Sequence, residues 1–350
     1  VIDRMVMKKY ICILSVCILA CALSCSEIEN QMEPMEKGVY KTFTATVENG
    51  DATKTVLDGE LGDPIRKTKW LPDDAILVAT QMGAMSSSVK FTNTSSDTSE
   101  VTTFSGTIGE AQEYFAFYPA NDSSSMEYKS VWVDSLSKWM DRSYFKTVIH
   151  NTQRYQEESF APGAFPMAAY IKNGGLFEFK NLFGVMVINM TGQDTIRSIR
   201  FTAKTESGKN ATLCGPCLVP FDTLGKEDGY FRFTESEKYP YFATDAITLY
   251  CGEQGVALDS ETPTRFYFAL PPATYYGFTV AISTTDGRTM YKQGKNNLTI
   301  KRSNVSKSGV LEYMENISVD LSTRGTSNCY IVSEPGFYSF DATVIGNGAE

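Results

Sequence analysis

"TLCGPCLVPFD", residues 212–222, holds Cys214-Gly215-Pro216-Cys217, the tetrapeptide of thioredoxin-type dithiols. Such a dithiol works at the N-terminus of a helix that follows a strand of an α/β sheet, where the helix dipole and nearby amides lower the thiol pKa. The flanks do not offer that setting. "NATL" before the tetrapeptide and "LVPFD" after it are apolar strand ends, and Pro220 opposes a following helix. Gly215-Pro216 is therefore expected to be the centre of a tight turn between two strands. Cys214 and Cys217 are then a structural pair, able to close a local disulfide in an oxidising exterior, rather than a redox centre. The choice between the two rests on the fold class of the surrounding chain.

That chain is patterned for sheet. From Lys41 onward short alternating stretches recur between turn residues, among them "KTFTATVE" (41–48), "AILVAT" (75–80), "YFAFYPA" (114–120), "LFEFKN" (176–181), "GVMVINM" (184–190), "IRSIRFTA" (196–203), "RFYFALPP" (265–272) and "YGFTVAIST" (276–284). Period-two alternation of β-branched and aromatic residues at this spacing is the pattern of antiparallel sandwiches. Asn49-Gly50, Asp58-Gly59, Asn173-Gly174 and Asp286-Gly287 are hairpin dipeptides that tolerate positive φ. No capped segment past residue 26 keeps a 3.6-residue period for three turns, so an all-β mature chain is expected.

Bulk composition narrows the function. The 350 residues, 42% hydrophobic, support a packed core, and 32 Lys plus Arg against 41 Asp plus Glu give a net charge of −9. No basic stripe exists to neutralise phosphates, which argues against nucleic acid as a partner. A single histidine, His150 in "KTVIHNTQ", removes most His-based metal sites and nearly every Ser-His-Asp or Cys-His scheme. No spaced carboxylate pair has a glycosidase setting, "DTSE" and "KEDG" lack EF-hand spacing, and "GEQG" and "GKNN" lack the context of a phosphate loop. An enzyme is not expected, and neither is a cofactor.

Four of the eight cysteines, Cys12, Cys17, Cys21 and Cys25, lie in "MVMKKYICILSVCILACALSC" (5–25), where Lys8 and Lys9 precede an apolar run ending in small residues. Translation is expected to start at Met5 or Met7. The run is short for a bilayer span and has the form of a cleaved export signal. "ALSC" resembles the bacterial lipobox, making Cys25 the lipidated residue, while "ILAC" makes Cys21 the alternative. Several acyl chains on one cysteine anchor a protein without a spanning helix. Cys251 and Cys329 are left to pair with each other or to remain buried thiols.

The expected organisation is a signal peptide over 1–25, an acidic linker over 26–40, a first β-sandwich over 41–172 and a second over 173–320, with the break at "NGG" (173–175). Residues 321–350 start a further β module, and thirty residues cannot bury a core alone; the sequence is expected to be an incomplete product.

"FTATVENGDATKTVLDG" (43–59), "KWLPDDAILV" (69–78), "FYPA" (117–120), "FPMAAY" (165–170), "GGLFEFKNLFGVMVINMTG" (174–192) and "RFYFALPPATYYGFTVAISTTDGRTMYK" (265–292) occur in the order seen in the Mfa-like fimbrillin family of Bacteroidales lipoproteins, which the chain resembles over about residues 41–315. The resemblance implies two tandem transthyretin-like β-sandwich domains in a lipid-anchored protein of the outer membrane and cell surface, a tip, anchor or shaft subunit of a pilus. It implies partner subunits that exchange strands after proteolysis beyond the lipidated segment. Lys54, Arg66 and Lys67 lie just after the candidate strand at 41–48 and are the basic residues available for such a cut. "GTSNCYIVSEPGFYSF" (325–340) is similar to segments that open a further β domain in some members. Ser135, Thr195 and Thr223, each after an Asp, resemble the three-residue O-glycosylation signal of exported proteins of this group. The other reading is a monomeric surface lipoprotein that binds carbohydrate or protein ligands from host or bacterial surfaces, with "YPYF" (239–242) and "TYYGF" (274–278) as aromatic platforms.

Overall fold

The structure, a computed structural model, describes residues 38–48, 56–57, 68–82, 85–121, 124–133, 137–220, 232–233, 245–294, 296–313, 317–318 and 338–339. The described sheets and cores lie in one compact unit, Tyr40–Glu350. All elements among the described residues are strands. The first thirteen are β1 (Val39–Val47), β2 (Val56–Leu57), β3 (Thr68–Lys69), β4 (Ala75–Met82), β5 (Met85–Asn93), β6 (Val101–Ile108), β7 (Glu113–Tyr118), β8 (Ser125–Val133), β9 (Lys138–Ile149), β10 (Thr152–Gln156), β11 (Ser159–Phe160), β12 (Met167–Lys172) and β13 (Leu176–Asn181).

Seven of these close into a barrel in the order β1-β13-β12-β7-β4-β5-β6. From β13 round to β6 the neighbours pair antiparallel, whereas β1 joins β13 in parallel, Thr44 opposite Leu176 through Val47 opposite Phe179. Asn173 and Gly174 have φ of 60° and 82°, as the β12–β13 hairpin requires. Two expectations are corrected here. The first body is a closed barrel rather than a sandwich of two sheets, and the break expected at residue 173 falls inside this hairpin, because β13 completes the barrel. Trp70, fully buried, centres its core, with the rings of Phe104, Tyr118 and Phe179 edge-on at 5.1–5.5 Å.

The later strands are β14 (Gly184–Thr191), β15 (Thr195–Ala203), β16 (Gly215–Pro220), β17 (Arg232–Phe233), β18 (Ala246–Tyr250), β19 (Val256–Ala257), β20 (Thr264–Leu270), β21 (Ala273–Tyr275), β22 (Phe278–Thr284), β23 (Thr289–Gly294), β24 (Leu298–Ile300), β25 (Val305–Glu312), β26 (Ile317–Ser318) and β27 (Tyr338–Ser339). One sheet runs β11-β10-β18-β15-β22-β23 with β19 attached to β15, and a three-stranded sheet runs β20-β14-β25.

That three-stranded sheet is a wall between two cores. Along β14, Val185 and Val187 belong to the cluster that includes the barrel's core, while Met186, Ile188 and Met190 belong to the second cluster. In β20, Tyr267 and Ala269 belong to the first cluster and Phe266, Phe268 and Leu270 to the second. A strand apolar on both faces is written as a continuous apolar run, and "GVMVINM" has that form. The link from β13 to β14 is Leu182-Phe183, both buried.

The Cys-Gly-Pro-Cys stretch lies in another sheet, β17-β16-β9-β8. The turn expected at Gly215-Pro216 is instead the start of β16, which pairs antiparallel with β9 from Gly215 opposite Ile149 to Pro220 opposite Tyr144. The chain bends just before the strand, at Cys214, and Gly215 takes a φ of 115°. Pro216 and Pro220 are four residues apart, so both remove donors from the same side of the strand and leave the other ladder intact.

Candidate functional site: the first strand and its groove

β1 follows from simple alternation. Phe43, Ala45 and Val47 point into the barrel, and Thr42 and Thr44 face solvent. The Phe43 ring lies 5.6 Å from Phe91, 5.0 Å from Tyr114 and 5.0 Å from Phe177. Lys41 Nζ is 2.9 Å from Glu110 Oε1 and 5.4 Å above the Tyr114 ring; the bond to Glu110 pushes its pKa up. The far end is held by polar contacts. Glu48 N donates to Phe179 O at 2.8 Å, and Glu48 Oε1 accepts from Asn181 N at 2.9 Å, from Ser303 Oγ at 3.0 Å and from the Arg302 guanidinium. Lys180 Nζ stands 3.8 Å from the other carboxylate oxygen.

Glu48 is only 13% exposed, so this carboxylate depends on those donors. Asn181, fully buried, donates from Nδ2 to Ser303 Oγ at 3.1 Å, and its Oδ1 finds no hydrogen-bond partner among the described residues. Residues 301–304 are pressed against the start of β14: Ser303 N donates to Phe183 O at 3.0 Å and Val185 N to Asn304 O at 2.8 Å. A Cβ on Gly184 would stand 2.2 Å from Lys301 O, so only glycine admits this approach. The end of β1 is thus clamped by a loop of the second body.

The arrangement makes β1 separable in principle. It buries one face, and its β13 neighbour lies far along the chain. Its loss would uncover Phe91, Tyr114 and Phe177, free a row of ladder groups and strip the carboxylate from Arg302.

Other anticipated residues are dispersed. Lys54, Arg66, Lys67, Cys21, Cys25, Cys329, Ser135, Thr223 and "YPYF" lie outside the described residues. Thr195 opens β15, half-buried, and its neighbour Asp194 is engaged by Arg288. In "TYYGF", Tyr275 is buried and donates to Pro271 O at 2.8 Å, Phe278 is half-buried, and Thr274 and Tyr276 are exposed.

Cys214 and Cys217 are thiols, not a disulfide. Cys214 packs in the second core with Sγ 3.3 Å from Ala246 O, while Cys217 sits in the β16 ladder opposite Thr147. Burial pushes both thiols up to about 12, the reverse of what a redox nucleophile needs. Cys251 is also a buried thiol pushed up to about 12. Among the described residues no three of His, Cys, Asp and Glu gather as metal ligands. The Glu48–Arg302 pair has no counterpart among the residues anticipated from sequence. Its members are 254 residues apart, and no local pattern announces it.

No family model matches the chain, and no curated protein matches it. Solved structures that it resembles include a Bacteroides ovatus protein assigned provisionally to cell adhesion, with TM-score 0.40 and 8% identity over 78% of this chain and 92% of that one. Another so assigned, from Bacteroides uniformis, gives TM-score 0.34 and 14% identity over 72% and 84%. A fimbrial protein from Bacteroides ovatus gives TM-score 0.28 and 9% identity over 79% of this chain and 50% of that one.

Proposed function

We propose that the protein is a structural, adhesive subunit of the cell surface, of the fimbrillin-like kind, that joins neighbouring subunits by exchange of its first strand. The observation that carries this reading is β1 itself: a one-sided, parallel strand, laid against β13 and seated by three apolar anchors. A barrel that loses such a strand presents unpaired backbone groups beside an open apolar groove, and an incoming strand satisfies both. Lys54, Arg66 and Lys67 are the proposed processing sites, since a cut there severs β1 from the rest of the chain. Cys25 is the proposed lipid anchor to the outer membrane, with Cys21 as alternative, and the two bodies are read as a tandem of transthyretin-like domains, the first of them closed into a barrel. Acyl groups on the mature N-terminal cysteine, seen by mass spectrometry, are expected; an unmodified mature form removes the anchor.

Limited trypsin digestion of the folded protein, followed by sizing, tests the exchange. Cleavage between Val47 and Trp70 is expected to give a ladder of higher-order species, and excess synthetic peptide KTFTATVE is expected to cap the groove and suppress it. A cut protein that remains monomeric and takes up no peptide overturns the reading and favours a monomeric ligand-binding lipoprotein.

A further inference from the structure

A second feature owes nothing to strand exchange. Where β9 ends and β10 begins, the chain forms a cleft of about 230 Å³, closed on its other sides by the turn after β7 and the loop at 161–166. Pro119, Pro162 and Pro166 contribute rigid apolar walls, and His150, Thr152 and Arg154 supply polar groups. Among the described residues no carboxylate lines it, in a chain that carries 41 Asp plus Glu and a net charge of −9.

Arg154 is the one arginine among the described residues that line the cleft. Four other arginines are matched inside the molecule, Arg265 with Glu158, Arg288 with Asp194 and Asp286, Arg302 with Glu48 and Arg200 with Asp245, while Arg197, exposed on β15, is unmatched among the described residues but does not line this cleft. Arg154, exposed at the cleft, has neither an ion pair nor a side-chain hydrogen bond to another described residue, and the same holds for His150. The strand that carries Arg154 is fixed from behind. Gln153 is buried and bonds both ways with Ala269, Nε2 donating to its carbonyl at 2.7 Å and Oε1 accepting from its amide at 3.0 Å. The guanidinium therefore projects from a held backbone, its five donors engaged by no described acceptor.

We infer that this cleft binds a small ligand bearing a single carboxylate on a compact body, the carboxylate meeting Arg154 beside His150 and the body lying against the prolines. A guanidinium matches a planar carboxylate with two parallel hydrogen bonds. The volume lies below the ~300–1,000 Å³ of sites for drug-sized ligands, which suits one amino-acid unit or one sugar ring. Two sources share this chemistry, a peptide C-terminus and an acidic sugar.

The sole histidine makes the test direct. The ring signals of His150, followed by NMR in protein without a histidine tag, are titrated with N-acetyl-leucine and with glucuronate, against N-acetyl-leucine amide, glucose and inorganic phosphate. A saturable shift with either carboxylate, not produced by the neutral analogues, is expected, and the stronger of the two identifies the source. Arg154→Ala, at an exposed position, is expected to weaken binding about tenfold or more, with an unchanged melting temperature. The inference is overturned by silence towards both carboxylates, by equal response to the neutral analogues or to phosphate, or by unchanged affinity in the Arg154 variant.

Discussion

Strands β1 and β14 stand at opposite ends of a scale of attachment, the one alternating in sequence and the other a nearly continuous apolar run. β1 buries Phe43, Ala45 and Val47 and leaves its threonines in solvent. β14 buries Val185 and Val187 in one core and Met186, Ile188 and Met190 in another. The first is held by one apolar face, two ladders and a carboxylate clamp at its end. The second is held from every side. β1 belongs to the barrel and β14 to the three-stranded sheet beside it, yet both are strands of one all-β chain, so how firmly a strand is held is a property of its faces and its neighbours, not of the fold class.

The largest expected effect comes from the wall. Val187→Asp places an uncompensated carboxylate where no donor can reach it, a cost of several kcal/mol or more against a total stability of about 5–15 kcal/mol. Loss of soluble, folded protein by near-UV circular dichroism is expected. A variant that folds with its normal melting temperature breaks the comparison, because the wall would then not be common to both cores.

Phe43→Ala should cost less, about 3 kcal/mol in urea unfolding, from lost contact with three rings and the cavity left behind. Amide exchange should quicken in β1 and β13 before β15 and β22. Equal quickening in both bodies would show that β1 is held no less firmly than β14.

The smallest effect separates the two bodies chemically. No cysteine occurs between residues 26 and 213, so the barrel strands before β14 carry none, while Cys214, Cys217 and Cys251 are buried later in the chain with thiols pushed up to about 12. Their folded pKa values exceed the unfolded value of about 8.5, so the folded state holds more protons above that pH. This stabilisation is fully present below about 8.5 and is lost as pH rises towards 12. The urea midpoint should be flat near neutrality and fall above about pH 9, and alkylation by iodoacetamide at about pH 8 should wait for opening of this region. Rapid alkylation of Cys217 in the native protein would contradict its burial.

Much of the sheet was legible, because alternation survives in any strand with one wet face. "KTFTATVE" and "LFEFKN" became β1 and β13, and Asn173-Gly174 became a hairpin. The division of the chain was not legible. "NGG" has the composition of a boundary and also of a tight turn, and only the pairing of β13 with β1 decides between them. "GVMVINM" signals burial on both faces without saying that the faces belong to different cores. The Cys-Gly-Pro-Cys stretch misled through its residues: glycine and proline suggest a turn, but a strand admits both when its prolines share a side. The Glu48 clamp needed the tertiary structure, since ion pairs between distant loops leave no periodic trace.

Two buried residues, Leu182 and Phe183, are all that separates the last barrel strand from the wall strand. Tandem domains on polar linkers hinge, because a few exposed residues absorb rotation at little cost. Here a rotation of one body against the other must slide β14 and β20 through close-packed side chains on both surfaces at once. Bending stiffness is therefore set by packing rather than by tether length, and the pair of bodies behaves as one beam.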